Sequence, residues 1–149
     1  MADGQLTKNL KEVLLKIYVE ERKAYDDAHP FLKELKNAGF VVVVVSNIPE
    51  HDMAVESLER LGLSDYVDEV VTSAQLGLRK PHPLIYLRAL ERARASHAVF
   101  VGDSVENDVL GPLGVGIPAI HVARSGVVLK RSVGSLSDAL HIIFKRDPQ

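Results

Sequence analysis

The sequence predicts an α/β domain, a parallel sheet with helices packed on its faces. Three observations carry that expectation. Residues 41–45 are five consecutive valines, and β-branched residues without polar alternation describe a strand buried on both faces. Apolar runs alternate with helical patterns from residue 41 onward, the pattern of strands joined by right-handed helical crossovers. The polar residues that close two of these runs, Ser46 with Asn47 and Asp103 with Ser104, stand where such folds collect ligands, at the carboxyl ends of strands.

The elements follow in order. Residues 6–28 read as a helix, with Leu10, Val13, Leu14, Ile17 and Tyr18 at helical spacing and charges on the other face. Pro30 predicts a break. Residues 31–37 then continue as a second helix, with Phe31, Leu32 and Leu35 on one side and Gly39 as its C-terminal stop. The valine strand ends at Ser46-Asn47. Pro49 starts a helix that runs to about residue 61 and is ended by Gly62. Residues 66–72 predict a second, shorter strand, followed by a loop containing Gly77. The run Arg79-Lys80-Pro81-His82-Pro83 leads into a helix over 84–94 whose first turn the prolines mark. Residues 98–101 form the third strand, and a helix over 106–113 follows, closed by Gly114 and Gly116. Residues 118–122 are the fourth strand. A last helix covers 136–144, with Ser135 placed as its N-cap. Ser125-Gly126 reads as a turn.

Composition narrows the function. A chain of 149 residues fits one domain with a sizeable core. It is 46% hydrophobic and 26% charged, as soluble globular proteins are. With 18 basic against 20 acidic residues the net charge is -2, which gives no support for a nucleic-acid surface. The absence of cysteine excludes disulfides, thiolate zinc sites and cysteine nucleophiles, and is compatible with a cytoplasmic location. The longest apolar run, residues 40–45, is far short of the ~20 residues a helix needs to cross a bilayer. The N-terminus lacks the basic start and apolar stretch of a signal peptide.

The segment Gly102-Asp103-Ser104-Val105-Glu106-Asn107-Asp108 is the richest in chemistry. A hard cation such as Mg²⁺ takes one or two carboxylates, several waters and a substrate phosphate. Asp103 at the strand end is the first candidate ligand, and Asp108, in the next turns, could point back at the same place. The competing reading makes both residues helix N-terminal caps. Two aspartates after a buried strand, with Ser104 and Asn107 between them, fit the metal better. Ser46 and Asn47 precede a helix, where amides and a hydroxyl can cradle phosphate. Taken alone, the pair reads first as an N-cap before Pro49. Lys80 before a helix opposes the macrodipole unless an anion sits there. The six histidines show no metal spacing and read as structural or surface residues.

These segments together are similar to three motifs of the haloacid dehalogenase (HAD) superfamily. Residues 41–47 resemble its second motif, 78–86 its third and 99–108 its fourth, followed by a glycine-rich stretch at 111–118. The resemblance covers roughly residues 28–123. It implies a Rossmann-like parallel sheet flanked by helices, Mg²⁺ as cofactor, and phosphoryl transfer from a small phosphorylated metabolite. It assigns Ser46, helped by Asn47, to a phosphoryl oxygen. Lys80 would offset charge on the nucleophile and the transferring group. Asp103 would ligate Mg²⁺, and Asp108 would support the site through water or Lys80. Oxygen ligands and a lysine suit the charge such a reaction develops. The Gly-Asp form of the fourth motif points to the phosphatase branch. A receiver-like signalling domain also uses Asp, Ser/Thr and Lys at strand ends, but its acidic cluster comes first, in an order this chain does not follow.

The family's first motif, an apolar strand ending in Asp-x-Asp, has no counterpart. Before Val41 the chain offers only Asp3, Asp26 and Asp27, none of them after a strand. That strand carries the family's nucleophile and stands between the strands of the second and fourth motifs. The resemblance therefore implies an incomplete core without its first central strand, and a truncated chain with little or no activity alone. Residues 1–29 resemble the remnant of a helical cap and residues 30–149 the α/β core. Three expectations follow: a phosphohydrolase represented in part, a non-catalytic module binding a phospho-ligand or protein partner, or a sheet completed by a homo-oligomer or complementing chain.

Overall fold

The computed structural model describes residues 25–124 and 126–146. Most of the helix expected over 6–28, and Ser125 of the expected turn, lie outside them. The first described helix, α1, is Ala28–Asn37. Pro30 lies inside its first turn rather than breaking the chain there, because the first turn's N–H groups have no helical acceptor and a missing one costs nothing. The helix therefore runs across the boundary expected between residues 29 and 30. Phe31 and Leu35, one turn apart, are buried. Gly39, at φ +87°, lets the chain leave: its N–H reaches Lys36 O and that of Phe40 reaches Leu35 O, each at 3.0 Å. These are the paired bonds of a Schellman stop, which a left-handed glycine permits.

Strand β1, Val43–Ser46, runs parallel to β2, Glu69–Thr72, with Val43 opposite Glu69 and Ser46 opposite Thr72. The connection is α2, His51–Arg60, which starts two residues after Pro49. Gly62 and Leu63 close it with the same double bond, to Glu59 O and Leu58 O. Alternate residues of β2 face opposite ways. Val70 packs with Met53 and Ala54 of α2, while Val71 packs with Ile85 and Tyr86 of α4, Pro83–Ala93. Helices thus cover both faces of the pair. Between β2 and α4 lies a four-residue helix, α3, Ser73–Leu76, capped by the Thr72 hydroxyl, in a stretch expected to be loop.

Two strand expectations need correction. The strand predicted over 66–72 begins only at Glu69, because Ser64–Tyr66 winds into a 3-10 turn. The valine run is unevenly buried rather than buried on both faces: Val42 is in the core, Val43, Val44 and Val45 are half-buried, and Val41 is 54% exposed. The reason lies in the sheet. Strand β3, Phe100–Gly102, pairs in parallel with β4, Ala119–His121. Among the described residues no ladder joins β1 to β3, so the sheet consists of two parallel pairs. Among the described residues one edge of β1 has no neighbouring strand.

After β3 the chain makes a wide helical turn, Val105–Leu110, and a short helix, α5, Gly111–Gly114, where one helix over 106–113 was expected. Helix α6, Leu136–Arg146, is capped as expected by Ser135, whose hydroxyl accepts from Asp138 N at 3.1 Å. It packs on α1, and Ala139 and Ile143 join Phe31, Leu35, Ile120 and Val122 in one core. Tyr86, Ile85, Val71 and Ile117 form another. Among the described residues no helix is long and apolar enough to cross a membrane.

A candidate phosphate site at the strand ends

The site is built where β1 and β3 finish. Asn47 does not cap α2, whose N-terminus has no side-chain cap. Its amide pairs instead with the backbone of Lys80: Lys80 N donates to Asn47 Oδ1 at 2.8 Å, and Asn47 Nδ2 donates to Lys80 O at 3.0 Å. A planar amide engaged on both sides fixes the loop it holds. That clamp ties the end of β1 to a residue 33 positions later and presents the Lys80 side chain across the end of β3.

Lys80 Nζ donates to Asp108 Oδ1 at 2.8 Å, with the two side chains only 11% and 7% exposed. It also lies 5.7 Å from the centre of the Phe100 ring. Asp108 Oδ2 accepts from Ser104 N at 3.0 Å, and Asp108 N donates to Ser104 O at 2.8 Å. Both carboxylate oxygens of Asp108 thus have protein partners. Gly102 makes this approach possible, since a methyl group there would overlap the Asp108 carboxyl group. The role of Gly102 is close approach, and its backbone angles are ordinary.

Two further groups hold the turn. Tyr86, fully buried, donates its hydroxyl to Asn107 O at 2.6 Å. Burial, reinforced by the negative charges of Asp108 and Glu106, pushes the phenol up to about 12, so it remains a donor at any ordinary pH. A side chain at Gly111 would overlap this hydroxyl. His121, also buried, bridges the other side: its Nε2 lies 2.9 Å from Asp103 O and its Nδ1 2.5 Å from Ser132 Oγ. A carbonyl can only accept, so Nε2 carries the proton. Read in sequence, His121 passed as structural or surface, and Tyr86 received no role of its own. A polar residue inside the apolar run 118–122 was the one available signal.

Ser46 and Asp103 differ from these residues. Ser46 is half-buried at the end of β1, and its hydroxyl makes no hydrogen bond among the described residues. Asp103 is exposed, and its carboxylate likewise has no protein partner there. The sequence-predicted residues therefore divide in two. Asn47, Lys80 and Asp108 form one connected chain, while Ser46 and Asp103 flank it with free oxygens. Among the described residues no group of three histidine, aspartate or glutamate side chains could hold a metal by itself. Asp103 fits Mg²⁺ only as one hard oxygen ligand, with the remaining positions left to water and phosphate. Asp26 is exposed, and the Asp27 carboxylate is engaged by Arg124 and by Leu136 N.

Comparison with known proteins identifies the family of the fold. A family model described as a haloacid dehalogenase-like hydrolase matches residues 3–116. The chain is 39% identical over 105 residues to ribulose-1,5-bisphosphate 5-phosphatase of Halopiger xanaduensis, covering 69% of this chain and 44% of that protein. It is 34% identical over 107 residues to glyceraldehyde 3-phosphate phosphatase of Methanopyrus kandleri, covering 68% and 44%. A HAD phosphatase from Thermococcus onnurineus superposes with a TM-score of 0.77 at 31% identity, over 89% of this chain and 64% of that one. The chain spans less than half the length of the two curated relatives.

Proposed function

The chain belongs to the haloacid dehalogenase-like hydrolase family, and from that premise we propose that it carries the phosphate-recognition part of a phosphohydrolase acting on a small phosphorylated metabolite. The observation that carries this reading is the Asn47–Lys80–Asp108 chain. It holds an ammonium group in a largely buried place at the strand ends, tied to the residue that follows Ser46, whose hydroxyl has no hydrogen bond among the described residues. An ammonium has three donors, and one is engaged by Asp108. The other two would meet phosphoryl oxygens. The Ser46 hydroxyl would donate to another, and the second N–H of Asn47 Nδ2 would assist it. Asp108 would act through Lys80, holding its Nζ in place.

Asp103 would be a Mg²⁺ ligand. An exposed carboxylate close to a bound phosphate repels it, and a hard cation between the two removes the repulsion. When bound, that ion would polarise a phosphoryl oxygen. The covalent route of the family needs an aspartate nucleophile, and no residue before Val41 supplies one in the right setting. The chain by itself should therefore bind phosphate and turn over little. A second reading, which the same phosphate-facing groups would serve, is a HAD-like module that binds a phospho-ligand or a protein partner without hydrolysis.

Calorimetric titration with inorganic phosphate, with and without Mg²⁺, tests the site, and release of p-nitrophenol from its phosphate ester separates the readings. Saturable phosphate binding should weaken at least about tenfold in Lys80→Ala, as loss of a charge-assisted hydrogen bond implies. The Mg²⁺-dependent part should vanish in Asp103→Asn. Absence of saturable heat at millimolar phosphate would remove the proposal. Brisk turnover lost in Asp103→Asn would show that the nucleophile lies within this chain after all.

A further inference from the structure

Beside the carboxyl end of β1 lies an open cleft of about 490 Å³, a size that suits a small organic ligand. Ile48, Pro49 and Leu78 give it an apolar wall, and Asn47, Ser73 and Arg79 are its polar members. Their hydrogen bonds set these three apart. Ser73 Oγ donates to Ile48 O at 3.0 Å and accepts from Ile48 N at 2.8 Å. The amide of Asn47 is engaged on both sides by the Lys80 backbone. The guanidinium of Arg79 is exposed and has no hydrogen bond, ion pair or ring contact among the described residues. It brings five N–H donors in a planar fork, the geometry that carboxylates and phosphates match in pairs.

Arg79 directly precedes Lys80, so their Cα atoms are about 3.8 Å apart. Yet the two cations serve different spaces. Lys80 Nζ is held against Asp108, whereas Arg79 lines the cleft. A ligand engaging both would carry an anion at each end of a short carbon stem, with the stem laid along Ile48, Pro49 and Leu78. We infer that the cleft is a second anion subsite, in which Arg79 receives a carboxylate or phosphate of a ligand whose first phosphate meets Lys80. The inference rests on the phosphate site proposed above. It narrows the substrate class to short-chain phosphate esters that carry a second anionic group.

Calorimetry with inorganic phosphate, propyl phosphate and 1,3-propanediol bisphosphate tests it. The bisphosphate should bind at least about tenfold more tightly than propyl phosphate, the scale of one charge-assisted, paired contact. Arg79→Ala should erase that advantage and leave inorganic phosphate unaffected, and Arg79→Lys should keep part of it. Lys33→Ala, which removes an exposed charge on α1, should preserve the advantage in full and so exclude a general effect of net charge. Thermal melts followed by circular dichroism should show Arg79→Ala folded. Equal affinity for the two esters, or an advantage that survives Arg79→Ala, overturns the subsite and leaves the phosphate site standing. Failure of inorganic phosphate to bind the unaltered chain removes both.

Discussion

Two carboxylate–cation pairs, Asp27–Arg124 and Lys80–Asp108, are made of similar chemistry and do different things. Their bonds are 2.6 Å and 2.8 Å long, and all four side chains are less than a fifth exposed. Asp27 gives one oxygen to Arg124 and the other to Leu136 N, the first residue of α6. Arg124 also stacks on the Tyr25 ring, 4.0 Å from its centre. This cluster joins the start of α1 to a residue three positions past β4 and to the head of α6, and both Asp27 carboxylate oxygens are engaged. At the other pair Asp108 is equally engaged, but Lys80 keeps donors free, and Ser46 and Asp103, at the ends of β1 and β3, have no side-chain partner among the described residues. A fastening uses up its polar groups, whereas a site leaves some of them for a ligand.

Breaking each pair in turn sharpens this contrast. Asp108→Ala should cost the most, about 3–5 kcal/mol, because it leaves a largely buried ammonium uncompensated. Urea unfolding would read that loss, and phosphate binding should fall with it. Asp27→Asn should cost about 1.5–3 kcal/mol through its charge-assisted hydrogen bonds, with phosphate affinity unchanged. A loss of phosphate binding there would erase the distinction between the two pairs.

The same variant carries a pH test. The hydrogen bond from Arg124, with that from Leu136 N, holds the Asp27 carboxyl below its ordinary 3.8 against the opposing effect of burial. A depressed folded value means that its stabilisation is present above the ordinary value and is lost as pH falls through the lower, folded one. Urea midpoints should therefore drop below pH 3.8 more steeply in the unaltered chain than in Asp27→Asn.

Gly102→Ala comes next, at about 1–3 kcal/mol for an overpacked contact. Because the methyl displaces Asp108, phosphate affinity should fall along with stability. Smallest is Tyr86→Phe, which removes the bond to Asn107 O and should cost about 1 kcal/mol. In the unaltered chain this buried phenol should show no phenolate absorbance below about pH 11, given a value pushed up to about 12. Its raised value stabilises the fold fully below the unfolded value of about 10 and loses that effect as pH climbs past it.

Some of this was legible in the residues themselves. Gly39 and Gly62 mark helix ends because a left-handed stop is a local matter, settled within six residues. The valine run marks a strand for the same local reason, and the order of Ser46, Lys80, Asp103 and Asp108 along the chain was enough to suggest phosphate chemistry. Where the expectation slipped, a non-local partner decided. Tyr66 belongs to the β-rich run 66–72, yet it turns inside a 3-10 segment, with His29 of α1 against its ring and 3.0 Å from its hydroxyl. Asn47 suits an N-cap and instead meets a backbone far along the chain.

The sequence by itself determined the α/β class, the family, the strand ends at which the candidate groups appear, and the absence of an Asp-x-Asp before the valine strand. Only the tertiary structure decided what each group touches: Asp108 bound to Lys80 and Ser104, Asp103 left free, Tyr86 and His121 holding the turn from two sides, and Arg79 alone in a cleft. Caps and periodicities depend on neighbours within a few residues. The partner of Asp108 at Lys80 lies 28 positions away, that of Tyr86 at Asn107 lies 21 and that of His121 at Asp103 lies 18, and only the packing of helices on strands sets their distance.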